Sequence, residues 1–204
     1  LGMQDHVEIY NRQGKRLGRW KSCGVDALVT SIAGSGEDIY VADAGNRLVY
    51  RYDRKGNLLN RIGEKDPKKN VPGFIIPSPF FDVGVDPAGA LWIANPGHYR
   101  LEKYSPDGDL LAAWGKASMA TEGFCGCCNP THFAFLHDGS FVTSEKGIER
   151  VKIYGPDGRF GCLVALPASF DEGTRGLDLA VDSKGRILVL DPVRNRVRIF
   201  IRKR

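Results

Sequence analysis

Short apolar runs recur along the chain, each closed by a glycine-containing turn and followed by another run. Four stretches align with one another: GSGEDIYVADAGNRLVYRYDRKGNLLNRIG, DPAGALWIANPGHYRLEKYSPDGDLLAAWG, HDGSFVTSEKGIERVKIYGPDGRFGCLVA and DSKGRILVLDPVRNRVRIFIRKR. Their opening turns fall at Gly36, Gly89, Gly139 and Gly185, at spacings of 53, 50 and 46 residues. After each turn comes an apolar strand (DIYVAD, LWIAN, FVTSE, ILVLD), then a loop, then a second strand (RLVYRYD, RLEKYS, RVKIYG, RVRIFI). The first three units add a further turn and strand, and one more apolar run precedes each opening turn (ALVTSIA, FDVGVD, HFAFLH, LDLAVD). The runs alternate and are rich in β-branched and aromatic residues, and no useful window has helical periodicity. Four short strands per unit, repeated at this period, predict an all-β chain of β-propeller blades. A lone four-stranded sheet has two apolar faces and can bury them only between neighbouring blades.

The N-terminal HVEIYNRQGKRLGRW aligns with the third and fourth strands of a unit, and the last unit stops after its third strand. The expectation is one propeller domain over 1–204, with a partial blade at 1–20, full antiparallel blades at 25–63, 80–115 and 129–165, and a partial blade at 176–204. That makes 17 strands.

Composition is that of an ordinary globular chain, 42% hydrophobic and 26% charged over 204 residues. No apolar run reaches the roughly 20 residues of a membrane span, and no signal-peptide pattern starts at Leu1. Much of the net charge of +5 sits in RNRVRIFIRKR. This permits contact with nucleic acid or anionic lipid, but a solvated basic strand end is the commoner cause. Five cysteines is an odd number, so at least one is unpaired within the chain or is a ligand.

The unit VADAGNRLVYRYDRKGNLLNRIG closely resembles the NHL repeat, and VLDPVRNRVRIF follows the same pattern. CGCCNPTHFAFLHDGSFVTSEKGIERVKIY is similar to a bacterial subgroup of NHL proteins with a cysteine-rich loop before one blade. The resemblance spans nearly the whole chain. It implies a ring of six blades, of which this chain would supply a part; the competing arrangement is a four-bladed ring with one surplus strand. It also implies an extracytoplasmic (periplasmic or secreted) setting.

Candidate chemistry concentrates in FCGCCNPTHF, Phe124 to Phe133. In a propeller the link between blades and the loop between second and third strands lie on one face, the top, where ligands gather. Cys125, Cys127, Cys128 and His132 are thus candidate metal ligands, suited to zinc, copper(I) or an iron–sulfur centre. The C-x-C-C spacing lacks the usual two-residue gap, and side chains of adjacent cysteines are expected to point apart. Two other readings stand beside the metal: a disulfide joining Cys125 or Cys127 to Cys23 or Cys128, and simple packing under the Asn129-Pro130 turn. Engagement of at least two of the three loop cysteines, by metal or disulfide, is the expectation. Cys162 falls on an outer strand.

Arg47, Arg100, Arg150 and Arg196 align at the start of the third strand, facing Asp43, Asn95, Glu145 and Asp191. Three of these pairs are expected as hairpin-end ion pairs worth about 0–1 kcal/mol each. Asn95 breaks the pattern and leaves Arg100 as a candidate ligand-binding residue, with His98 beside it in NPGHYR. Trp20, Trp114, Tyr52, Tyr104, Tyr154 and Phe200 are expected in the core between blades.

No GxSxG, HExxH, P-loop or strand-to-helix GxGxxG occurs. The favoured function is therefore a non-enzymatic binding or scaffold module holding a protein, peptide or sugar on its top face. The alternatives are a metal-dependent enzyme or redox protein resembling the zinc-using peptidyl-hydroxyglycine amidating lyases, and an RNA-binding propeller.

Overall fold

The computed structural model describes residues 1–68 and 71–201. Residues 69–70 of the interblade link and 202–204 of the expected last blade lie outside the described residues. Among the described residues seventeen strands form five antiparallel sheets. β1 (Glu8–Tyr10) and β2 (Arg16–Arg19) make a two-stranded sheet. β3 (Val29–Ser35), β4 (Asp38–Asp43), β5 (Leu48–Asp53) and β6 (Leu58–Ile62) make the first full blade. The second holds β7 (Val83–Val85), β8 (Leu91–Asn95), β9 (Arg100–Tyr104) and β10 (Leu110–Trp114). The third holds β11 (His132–Phe135), β12 (Phe141–Ser144), β13 (Val151–Tyr154) and β14 (Phe160–Ala165). β15 (Leu179–Val181), β16 (Ile187–Asp191) and β17 (Arg196–Phe200) close the chain as a three-stranded sheet. Each blade is a meander, and the first strands β3, β7, β11 and β15 approach one another, so the sheets are arranged as in a β-propeller. The strands per sheet match the sequence expectation. Among the described residues helix is limited to two three-residue 3-10 turns, Pro96–His98 and Pro167–Ser169. Among the described residues no helix is long and apolar enough to cross a membrane.

The turns form for a repeated local reason. The side-chain oxygen of Asn11, Asp53, Asp86 or Asp182 accepts two backbone N–H groups, two and four residues on, at 2.8–3.0 Å. The glycine three residues after each, Gly14, Gly56, Gly89 or Gly185, has φ between 71° and 86°, a conformation that favours a residue without Cβ.

Packing lies between sheets. Val7, Trp20, Val41, Tyr50 and Tyr52 join the N-terminal sheet to the first full blade. Val49, Ile62, Phe74, Val83, Ile93 and Tyr104 fill the next interface, and Trp92, Leu101, Phe124, Phe141 and Tyr154 the one after. Val142, Val151, Leu177 and Val189 fill the last. Each such large apolar side chain stabilises by about 1.5–3 kcal/mol when fully buried. The expected core aromatics are here: Tyr104 and Tyr154 are buried, and Trp114 stacks on Tyr154 at 4.8 Å between ring centroids. On the three-stranded sheet Leu190, Val197 and Ile199 are exposed.

The alignment of arginines needs one correction. Strand pairing sets Asp43 opposite Leu48, Asn95 opposite Arg100 and Asp191 opposite Arg196. Leu48, not Arg47, therefore occupies the arginine position. Arg47 is the last residue of its loop, with φ 57°, as are Tyr99 and Asn195. Asp43 is instead satisfied by the backbone N–H groups of Leu28, Gly45 and Asn46 and by the Asn46 amide at 2.7 Å.

Candidate functional site at the channel mouth

Pairing between first and second strands defines a register position that the sequence alone hides. Ser31 lies opposite Ala42, and His132 opposite Ser144. Asp82 and Asp178 accept the backbone N–H of Ala94 and Leu190 on their carbonyls, which places them at the same level. Ser31, Asp82, His132 and Asp178 are thus one residue from each of four sheets, at the same end of the inner strands. The interblade links and the second-to-third-strand loops lie at this end.

Asp82 ties the inner strands together. Its Oδ1 accepts the Ser31 hydroxyl at 2.6 Å and its Oδ2 the Phe133 N–H at 2.8 Å. An inner strand has no neighbour on its channel edge, so this N–H would otherwise want a partner. Burial pushes the Asp82 carboxyl above its ordinary range and Asp178 adds to the rise, while His132, Ser31 and the Phe133 N–H oppose it. His132 rests edge-on against Phe80, 5.5 Å between centroids, and its Nδ1 is buried without a hydrogen-bond partner among the described residues. On Phe80 also sits the Lys146 ammonium, 5.3 Å from the ring centroid.

The cysteine loop adjoins this cluster. Asn129, fully buried, donates to the Lys146 carbonyl at 3.0 Å and accepts the Lys146 N–H at 2.9 Å, stitching the loop to the β12–β13 connection. The Asn129-Pro130 peptide is cis. Lys146 Nζ donates to Ser78 Oγ at 3.0 Å, and that hydroxyl donates to Cys128 Sγ at 3.4 Å. Cys127 and Cys128 point the same way, contrary to expectation, with Sγ atoms 3.0 Å apart. Cys127 is exposed and Cys128 buried.

Cys125 faces elsewhere, into a buried ionic cluster. Arg150 Nε donates to Glu145 Oε2 at 2.9 Å, and Lys152 pairs with the same carboxylate. Cys125 contacts this Glu145 and the Arg150 guanidinium, 3.9 and 3.6 Å away. Lys152, fully buried, donates to the Gly123 and Thr121 carbonyls at 2.7 and 3.2 Å and lies over the Phe124 ring at 4.5 Å. Burial pushes its ammonium below the ordinary range, with Glu145 opposing. The cluster pins the start of the cysteine loop to its blade.

These placements revise the expected site. Among the described residues no three His, Cys, Asp or Glu side chains are grouped as metal ligands. Cys125 turns to Glu145, His132 to Phe80, and Cys127 and Cys128 to each other. No disulfide joins them: all five thiols are free, and 3.0 Å is a non-bonded separation, since an S–S bond is about 2.05 Å. Cys23 lies against the Tyr52 hydroxyl at 3.6 Å in a different interface, away from the loop. Cys162 is exposed on β14, as expected. Arg100 is part-buried and held by an ion pair on its own strand. Its Nε donates to the buried Glu102 at 2.6 Å, a carboxylate two residues along the same strand that replaces the one missing at Asn95. His98 lies half-buried in the 3-10 turn at the mouth end. Sequence reasoning missed Asp82 and Asp178; the shared signal was an aspartate just before the inner strand, in FDVGV and LDLAV.

No protein-family model matches the chain. Among curated proteins it is similar to human NHL repeat-containing protein 3, 25% identical over 186 residues, which is 80% of this chain and 49% of that protein. The chain therefore spans about half the length of this relative. Solved structures of similar shape include a catalytically inactive virginiamycin B lyase from Staphylococcus aureus with quinupristin (TM-score 0.66, 13% identical, covering 95% of this chain and 59% of that one). The WD40 β-propeller domain of Doa1 (TM-score 0.63, 12%, 98% and 58%) and the glutaminyl cyclase of Myxococcus xanthus (0.61, 14%, 92% and 77%) are similar too. At these identities the likeness is one of fold. The chain is an all-β propeller, and its sequence is similar to that of an NHL-repeat protein. Its neighbours in fold include enzymes as well as a WD40 domain.

Proposed function

We propose that the chain is a binding module that holds a peptide, protein or sugar ligand at the channel-mouth end, acting as a scaffold rather than a catalyst. One observation carries the reading: four sheets each contribute a polar residue, Ser31, Asp82, His132 and Asp178, to one level of the inner strands, beside the Phe80 ring and the Lys146 ammonium. An apolar ring flanked by a cation, an imidazole and carboxylates suits a ligand that combines an apolar face with hydrogen-bonding groups. His98 belongs to the same end and is available to extend the contact. The two aspartates oppose a phosphate backbone, which makes an RNA partner the weaker reading.

A second reading, an enzyme with its site at the mouth, draws on the buried unpartnered Nδ1 of His132 close to the raised carboxyl of Asp82. Peptide and glycan arrays probed with the wild type and His132→Ala separate the readings. Binding module: hits are bound unchanged and weaken about tenfold or more in the variant, a loss of about 1.4 kcal/mol. Enzyme: mass spectrometry finds hits converted by the wild type alone. Hits bound equally by both proteins would overturn the assignment of the mouth.

A further inference from the structure

We propose that Cys127 and Cys128 are a vicinal dithiol that exchanges with small-molecule disulfides, closing a disulfide between adjacent residues at the rim of the channel mouth. The geometry assigns different roles to the two sulfurs. Cys127 is exposed and can be reached by a reagent, whereas Cys128 is buried behind it with its Sγ only 3.0 Å away. The buried sulfur has a built environment: the Ser78 hydroxyl donates to it at 3.4 Å, and that hydroxyl accepts from the Lys146 ammonium at 3.0 Å. Burial alone would raise the Cys128 thiol, but hydrogen bonds from Lys146, Ser78 and Cys127 outweigh it and favour the thiolate. The same shared hydrogen bond raises Cys127, so the inner sulfur gives up its proton more readily than the outer one.

Exchange then proceeds in two displacements. Once the pair has lost one proton to solvent, the other passes along the shared hydrogen bond to Cys128, leaving the outer sulfur as thiolate. That thiolate attacks one sulfur of a disulfide RSSR; the S–S bond breaks, its electron pair leaves on RS⁻, and Cys127 carries a mixed disulfide. RS⁻ takes the proton from Cys128 and departs as RSH. The Cys128 thiolate attacks the Cys127 sulfur, the mixed disulfide breaks, and the second RS⁻ leaves to be protonated by solvent. Two protein thiols are oxidised and one RSSR becomes two RSH. Cys125 takes no part, because its thiol is turned to Glu145 and Arg150. Closing the disulfide removes the ionisable Cys128 sulfur from the Ser78–Lys146 pair at the rim.

The test uses the native chain equilibrated in glutathione/glutathione-disulfide buffers, trapped with iodoacetamide, digested and read by tandem mass spectrometry. The expected wild-type product is a Cys127/Cys128 peptide lighter by two hydrogens and free of glutathione. Exposed Cys162, with no neighbouring thiol, serves as the internal control and should retain glutathione. Cys128→Ser should accumulate glutathione on Cys127. Persistent glutathione on wild-type Cys127, an unreacted Cys127 while Cys162 is modified, or a bond from either residue to Cys125 would overturn the proposal. Should Cys128→Ser fold poorly, Ser78→Ala replaces it, and slower closure with transient glutathione on Cys127 is the expected result; unchanged closure counts against the proposed role of the Ser78–Lys146 relay.

Discussion

At the residue scale, position in the fold decides what a charge is worth. The expectation of weak hairpin-end pairs holds for Arg196 and Asp191, 3.7 Å apart with the arginine half-exposed. It fails for Arg150 and Glu145, which are buried with Lys152 around them. Glu145→Gln would leave two buried cations without their counter-charge, and such a loss costs about 3–5 kcal/mol. Arg47→Ala, a loop residue off the paired register, should cost less than about 0.5 kcal/mol. Urea unfolding of both variants checks this, and similar costs would restore the original view. Glu8 gives a pH signature at the other end of the chain. The Tyr10 hydroxyl at 2.6 Å and Arg16 at 2.8 Å, with His6 beyond, hold its carboxyl down to about 2. The folded value lies below the unfolded one near 4.3. Its contribution is therefore complete above that unfolded value and is lost as pH falls toward 2. Near-ultraviolet dichroism of Tyr10 and Trp20 should weaken over that window, and Glu8→Gln should flatten the response.

At the scale of elements, the strands and turns were legible in the sequence because they rest on short-range signals: alternation, Asp or Asn opening a turn, glycine closing it. What the sequence hid depends on pairing across strands. The loops from Asp43 to Leu48, Asn95 to Arg100 and Asp191 to Arg196 are equally long, yet the first puts its arginine in the loop and a leucine at the strand start. Strand pairing shows that this one-residue difference in spacing sets Arg47 apart from Arg100. The mouth residues were hidden for the same reason, since serine, aspartate and histidine share a position but not a chemistry. The turn glycines carry a second role. A Cβ on Gly158 would lie 2.5 Å from the Trp114 ring of the preceding blade, and one on Gly56 would meet Trp20 equally closely. Gly158→Ala should therefore cost more than Gly139→Ala. Both have positive φ, 78° and 82°, but Gly139 has no contact closer than 3.7 Å. The backbone cost alone is about 1 kcal/mol, and overpacking adds about 1–3 kcal/mol. Equal melting temperatures for the two variants would contradict this account of how adjacent blades seat on one another.

At the scale of the whole molecule, the two ends of the blades differ in kind. One end holds the short Asp–Gly turns, whose polar groups are spent on their own backbones. The other gathers Ser31, Asp82, Phe80, His132, Lys146, Asp178 and the cysteine pair from four sheets and their links. Ligand binding is proposed at that second end. Hydrogen–deuterium exchange of the native chain, with and without a ligand identified on the arrays, tests it most directly. Added protection is expected in residues 77–82, 125–133 and 144–150, with the turns at 53–57, 105–109 and 155–159 unchanged. Protection confined to those turns, with the mouth segments exchanging as before, would contradict it.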